Sequence, residues 1–198
     1  SAWKKRRTGV SWQGGETLSV AIGQGYNLST PLQMLVLTSA LANGGTKYKP
    51  LILKSVKTAD GDIVIQNKRQ VMGRLPAGKK TLTIVKKGLR EVVNSPKGTA
   101  RIANIKGIDI SGKTGTAQVV GRHNEPKLSE KDMPEQFKAH AWFVSYAPSV
   151  DPKIAVAVFV EHGGHGSTAA APIAREIIRT YLETDEYGRQ LKAEISKQ

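Results

Sequence analysis

The chain has 198 residues, 39% hydrophobic and 23% charged, with 20 Gly, 9 Pro and no Cys. That length is one ordinary domain able to bury a sizeable core, and the apolar fraction excludes a disordered tail. The net charge of +14 is lopsided: residues 1–100 hold 17 Lys or Arg against 4 Asp or Glu, and the remainder is nearly balanced.

Several chemistries fall away at once. Without Cys there is no disulfide framework, thiolate nucleophile or Cys-type zinc site. No apolar run approaches the roughly 18 residues of a spanning helix, and no apolar core follows the basic N-terminus as in a signal peptide. Any membrane anchor is therefore expected outside these residues. A basic half can serve nucleic acid, an anionic surface or an acidic polymer. The only tight run is Lys4-Lys5-Arg6-Arg7, and only 6% of residues are aromatic, so no stacking platform for nucleic acid is visible. The simplest reading is a solvated basic face.

In chain order, Thr30-Pro31-Leu32-Gln33 reads as a capping box with Pro at the first helical position. The helix it opens, Pro31 to Asn43, is apolar nearly all round and stops at Gly44-Gly45, which predicts burial. Leu51 to Thr58 and Ile63 to Gln66 flank Ala59-Asp60-Gly61-Asp62 as a hairpin. Leu82, Val85, Leu89, Val92 and Val93 give Thr81 to Asn94 a helical period, ended by Ser95-Pro96. Strands follow: Ile108 to Val120 around a Ser/Gly/Thr-rich centre, then Ala141 to Tyr146 and Ile154 to Val160. The link between the last two is too short for a crossover helix, so they pair antiparallel. Gly121 to Lys138 is polar and too long for a tight turn, which predicts a mobile surface loop. A closing amphipathic helix spans about Ala171 to Leu182, its predicted apolar face Ile173, Ile177, Ile178, Tyr181 and Leu182. Helices, then an antiparallel sheet, then a covering helix make an α+β plan.

Gly107 to Thr114 (Gly-Ile-Asp-Ile-Ser-Gly-Lys-Thr) matches the phosphate-binding P-loop pattern at every fixed position. A P-loop needs a helix beginning at its Lys-Thr. Here Gly115 and then β-branched residues follow, a poor helix start. The competing reading keeps Lys113-Thr114-Gly115-Thr116 within a strand. Lys113 and Gly115 then share one face and Thr114 and Thr116 the other. Gly115 clears the approach for a peptide adding to the strand edge, and an ammonium with two hydroxyls suits a carboxylate. His162 and His165 flank Gly163-Gly164 with only Glu161 as a third donor, so no metal site and no cofactor are expected. Trp142 and Phe143 point to opposite faces, with at least one packing behind the sheet. Gln24 and Tyr26 are read as structural support or substrate contact, and His140, lacking a triad partner, as structural.

Ile110 to Gln118 resembles the third signature of the penicillin-binding proteins and serine β-lactamases, the group defined by S-x-x-K, S-x-N and K-T-G. Gly15 to Tyr26 with Thr30 to Gln33, His140 to Pro148 and Glu161 to Gly166 resemble class B, elongation-type transpeptidases in the same order. The resemblance covers residues 1–183, taken as the C-terminal portion of a transpeptidase domain, with 184–198 as a polar tail. It implies a partial transpeptidase fold that keeps the last three strands of an antiparallel sheet with a helix packed on it. S-x-N occurs nowhere, and the one S-x-x-K, Ser1 to Lys4, is taken as coincidence. The nucleophile is thus expected outside this chain, and the chain alone is expected to be inactive.

By resemblance, the complete enzyme transfers an acyl group from D-Ala-D-Ala stem peptides to cross-link peptidoglycan, in cell-wall biogenesis and cell shape. Lys113 would supply positive charge and hydrogen bonding near the nucleophile. Thr114 and Thr116 would hold the carboxylate of a stem peptide or β-lactam beside Gly115, and the Thr116 backbone N–H would form half an oxyanion hole. The resemblance also implies the periplasmic face of the inner membrane and a membrane-anchored elongation machinery as partner.

Overall fold

The computed structural model describes residues 1–119 and 133–184. They fall into two compact units, residues 1–30 and residues 31 onward.

In the first unit, helices α1 (Ala2–Thr8) and α2 (Gly14–Ala21) form where no helix was expected. Each is held by local polar bonds. The Ser1 hydroxyl accepts the Lys4 backbone amide at 3.4 Å, and left-handed Gly9 closes the other end of α1. Glu16 Oε2 accepts the Gln13 amide at 2.6 Å at the start of α2. Lys4 is only 5% exposed; its ammonium meets Glu16 Oε1 at 2.5 Å, donates to the Ser11 carbonyl at 3.1 Å and lies 5.8 Å above the Tyr26 ring. A lysine is buried only with such partners. The basic quartet is therefore divided, one member inside and three in water. The hydrogen bond from Gln13, then Lys4, holds the Glu16 carboxyl below its ordinary pKa.

The second unit opens with α3 (Pro31–Ala42), ended by two left-handed glycines, Gly44 and Gly45. Strands β1 (Thr46–Tyr48), β2 (Ser55–Lys57), β3 (Ile63–Gln66) and β4 (Val71–Arg74) follow, β1 pairing with β4 and β2 with β3, both antiparallel. The expected hairpin is present, but its first strand begins at Ser55 and not Leu51. Residues 51–54 are held by Asn67, whose amide reaches the Lys54 carbonyl at 3.0 Å and whose side chain reaches Leu53 at 2.8 Å. The turn forms as Asp62 N donates to Thr58 Oγ1 at 3.1 Å and Gly61 takes φ 94°.

Helix α4 (Lys79–Asn94) starts two residues before its expected bound and stops at Ser95. The main sheet is β5 (Ser111–Ala117), β6 (His140–Ala147) and β7 (Ile154–Val160), order β5-β6-β7, antiparallel throughout, as expected. Helix α5 (Ala171–Thr184) follows a short π turn over Gly166–Ala170. One core joins these parts: Phe143, Val156 and Val158 of the sheet, Val93 of α4, Ala100 and Ile110, and Ala171, Ala174, Ile178 and Leu182 of α5.

Two burial expectations need correction. α3 is not buried all round: Leu32 and Leu37 are 53% and 40% exposed, while Thr38, Ala40 and Ala42 are inside. Met34, Leu35, Val36 and Leu41 are only half-buried, so composition overstated its burial. On α5 the buried stripe is Ala171, Ala174, Ile178 and Leu182, whereas Ile173, Ile177 and Tyr181 are 45%, 43% and 38% exposed. The backbone needs small residues where the helix crosses the sheet, and those alanines outrank larger neighbours. Residues 121–132 of the expected loop lie outside the described residues; its end contains a single 3-10 turn, Glu135–Phe137. The tail from residue 185 also lies outside them.

Candidate active site

Strand β5 carries the Lys-Thr-Gly element, and it is an outer strand of its sheet, paired only with β6 among the described residues. The register puts Lys113 opposite Val144, Thr114 opposite Phe143, Gly115 opposite Trp142 and Thr116 opposite Ala141. Lys113 and Gly115 thus share one face and Thr114 and Thr116 the other, the alternation expected of a strand. Lys113-Thr114 sits in mid-strand and begins no helix, so the phosphate-cradling geometry required of Gly107 to Thr114 is absent.

Lys113 is exposed, and its ammonium folds back to donate to the Thr114 carbonyl at 2.7 Å. The Thr114 hydroxyl lies 3.4 Å from that of Thr99, on the segment linking α4 to the sheet. At Gly115 the missing side chain serves packing against β6. A Cβ there would come within 3.1 Å of Trp142 Cβ. The backbone of Gly166 sits still closer: a Cβ on it would lie 2.1 Å from the Trp142 carbonyl oxygen and 2.7 Å from that of Gly115. Only glycine at 166 lets the π turn before α5 touch the β5–β6 pair. Gly112 is likewise constrained, by the Phe143 ring, 2.6 Å from where its Cβ would be.

Behind the element, a polar chain fixes the start of β5. The Ser111 hydroxyl meets that of Ser149 at 2.8 Å, and Ser149 donates to the Asp109 carbonyl from its amide at 2.7 Å and its hydroxyl at 3.1 Å. Asp109 Oδ2 accepts from Arg90 Nε at 2.6 Å, which raises the guanidinium pKa further. Asn94 of α4 donates to the Ile110 carbonyl at 2.7 Å. These bonds tie helix, loop and strand at the base of the Lys-Thr-Gly run.

The histidines form a separate group. His140 Nδ1 accepts the His162 amide at 3.0 Å, and His162 Nδ1 lies 3.1 Å from the Lys138 carbonyl, which can only accept. Hence His162 carries a proton on Nδ1 and neutral His140 carries its own on Nε2. Phe143 is fully buried, while Trp142 meets Phe159 on the opposite face, ring centroids 4.7 Å apart and planes tilted by 52°.

A family model, the penicillin binding protein transpeptidase domain, matches residues 3–179. The chain belongs to that family. Within the transpeptidase family, it is 35% identical to peptidoglycan D,D-transpeptidase MrdA of Haemophilus influenzae over 184 residues, 91% of this chain and 28% of that protein. It is 34% identical to MrdA of Escherichia coli K12 over 179 residues, 89% of this chain and 28% of that one. Thus the chain spans less than a third of the length of these curated relatives. Among solved structures, it resembles PBP2 of Helicobacter pylori in complex with MreC, at TM-score 0.71 and 33% identity, over 92% of this chain and 30% of that one. PBP2 of Pseudomonas aeruginosa in complex with WCK 5153 gives TM-score 0.68 and 34% identity over 94% of this chain and 36% of that one. The fold class expected from sequence is therefore that of transpeptidase domains.

Sequence reasoning found the Lys113 to Thr116 element and missed Thr99, Gly166 and the Ser111–Ser149–Asp109 chain. Thr99 is 15 residues and Ser149 is 38 residues from its partner, and no local pattern encodes such pairings.

Proposed function

We propose that this chain is the C-terminal portion of the catalytic domain of a serine-type peptidoglycan D,D-transpeptidase, with residues 1–183 as that portion. The observation that carries the reading is the Lys113-Thr114-Gly115 run in the middle of an outer strand, in a chain whose family match spans residues 3–179.

In such an enzyme a Ser hydroxyl attacks the penultimate D-Ala carbonyl of a stem peptide, and terminal D-Ala leaves with the proton on its amine. An amine of a neighbouring stem then attacks the acyl-enzyme ester and releases the Ser, forming the cross-link. The residues here form the opposing wall. Lys113 presents an ammonium toward the nucleophile, exchanging its present bond to the Thr114 carbonyl for substrate or Ser. Thr114 and Thr116 offer hydroxyls to the carboxylate of the stem peptide or β-lactam. Gly115 keeps the strand edge clear, and the Thr116 N–H contributes to the oxyanion hole. The same reading puts the protein at the periplasmic face of the inner membrane with a membrane-anchored elongation machinery.

A fluorescent penicillin tests this. The 198-residue chain stays unlabelled, because S-x-N is absent and the Ser1 hydroxyl caps α1 while the Lys4 ammonium is bound to Glu16. The longer protein that includes upstream S-x-x-K and S-x-N is labelled, and Lys113→Ala slows labelling about a hundredfold. Stoichiometric labelling of the short chain at Ser1, or full-rate labelling of Lys113→Ala, removes the proposal.

A further inference from the structure

The last turn of α4, the 3-10 turn Arg101–Ala103 and α5 border a cavity of about 540 Å³, lined by Val93, Asn94, Arg101, Ile102, Asn104 and Arg175. Among the described residues it holds two guanidinium groups, two carboxamides and two aliphatic side chains, and no carboxylate. None of these residues belongs to the Lys113 to Thr116 element.

The polar walls are not satisfied among themselves. Asn94 spends both amide hydrogens on backbone carbonyls, Arg90 at 2.8 Å and Ile110 at 2.7 Å, and its oxygen accepts from Asn104 Nδ2 at 3.1 Å. That fixes the Asn94–Asn104 pair and leaves Asn104 one N–H to give. Arg175 Nε is buried with no hydrogen-bond partner, and Arg175 forms no ion pair among the described residues. Among the described residues Arg101 reaches only the Pro96 carbonyl, at 3.4 Å. Glu176 is engaged with Arg179 at 3.2 Å, and Asp109 Oδ2 with Arg90 at 2.6 Å. No carboxylate among the described residues neutralises either guanidinium, so an anion entering the cavity meets uncompensated positive charge.

We propose that this cavity binds a phosphate group, as a phosphate monoester or diphosphate, between Arg101 and Arg175. A guanidinium presents a planar fork of N–H donors that matches two oxygens of a phosphate, and two forks plus the Asn104 N–H match its three terminal oxygens. A carboxylate, with two oxygens, would leave one fork unfilled. Val93 and Ile102 give the organic part of an ester an apolar wall, and the volume exceeds that of the phosphate alone. This inference is independent of the proposed transpeptidase role.

Inorganic pyrophosphate is the probe, titrated calorimetrically into the full 198-residue chain at constant ionic strength. Saturable one-to-one binding is expected, weakened at least tenfold by Arg101→Gln and by Arg175→Gln. Arg175→Lys, which keeps the charge and loses the fork, falls between wild type and Arg175→Gln. Lys57→Gln removes the same charge from exposed β2 and changes affinity less than twofold. Arg101 is exposed, so its variant reports on binding even if Arg175→Gln loses its fold. Absence of saturable binding overturns the proposal. So does equal weakening by Lys57→Gln and Arg101→Gln, which would mean diffuse charge attraction, or tighter binding of succinate than of pyrophosphate.

Discussion

The three-stranded sheet and the β1–β4 segment use the same backbone pairing to opposite ends. In the sheet, Phe143, Ala141, Ala147 and Tyr146 are completely buried, and glycines at 112, 115 and 166 admit no further atom without displacing a neighbour. In residues 46–74, Ile52, Ile63, Val64, Val71 and Met72 are all more than half exposed, among seven Lys or Arg and two Asp. The contrast teaches that strand pairing alone does not set rigidity. What sets it is whether both faces of the ladder are packed, and two-stranded ladders without such packing are marginal. The element proposed to handle substrate lies on the packed sheet, where small displacements are resisted.

The largest effects should therefore come from the sheet. Phe143→Ala removes a fully buried ring at the meeting of sheet, α4 and α5, and should cost about 3–5 kcal/mol in denaturant unfolding. A loss under about 1 kcal/mol would mean that the core collapses around the gap. Gly166→Ala adds one methyl where carbonyl oxygens stand 2.1 and 2.7 Å away, and neither belongs to a flexible side chain. It should cost about 1–3 kcal/mol and shift the backbone amide resonances of Gly115 and Trp142. Unchanged stability would show that the π turn moves freely against β5.

The packed region was also the more legible one in the sequence. α4 announces itself by its helical period and β6 and β7 by their apolar, β-rich runs, and the short link of residues 147–153 settles the antiparallel sense of β6 and β7. β1 and β4 were not seen, because each is three or four residues long and its partner lies some 25 residues away. α1 and α2 escaped because polar side chains hold them, with no apolar period to read: Lys4 pairs with Glu16 across the turn between them. Exposure on α3 and α5 was misjudged because hydropathy counts side chains, whereas burial depends on which side another element reaches. At the candidate site, Lys113 to Thr116 was legible as a contiguous motif. Gly166 was not, since its role lies in what its missing side chain would strike.

A smaller test separates packing from polarity inside the sheet. The Tyr146 hydroxyl is buried with no well-aligned hydrogen bond among the described residues, and the Ser111 hydroxyl close to it is shared with Ser149. Burial pushes the Tyr146 pKa up, the Ser111 hydroxyl moderates the rise, and Asp109 adds to it. Because the folded state favours the neutral phenol, its contribution is intact below about pH 10 and is lost as pH rises through the raised pKa. Tyr146→Phe should leave stability at pH 7 unchanged or raise it by up to about 1 kcal/mol, and should flatten the alkaline decline above pH 10. A loss of about 2 kcal/mol at pH 7 would reveal a bond to that hydroxyl.

The smallest effect is expected in the open segment, and it sharpens the comparison most. Val64 on β3 is 63% exposed, so Val64→Thr keeps the β-branched shape while replacing one methyl by a hydroxyl that water can reach. In the isolated chain it should change stability by less than about 0.5 kcal/mol, a typical exposed-site value. Backbone amides of β2 and β3 should exchange with solvent faster than those of β6, in wild type and variant alike. A cost above about 1 kcal/mol, or exchange as slow as in the sheet, would mean that the apolar side chains of this segment are covered in solution. In that case the division between a packed sheet and an open ladder fails, and residues 46–74 belong to the core.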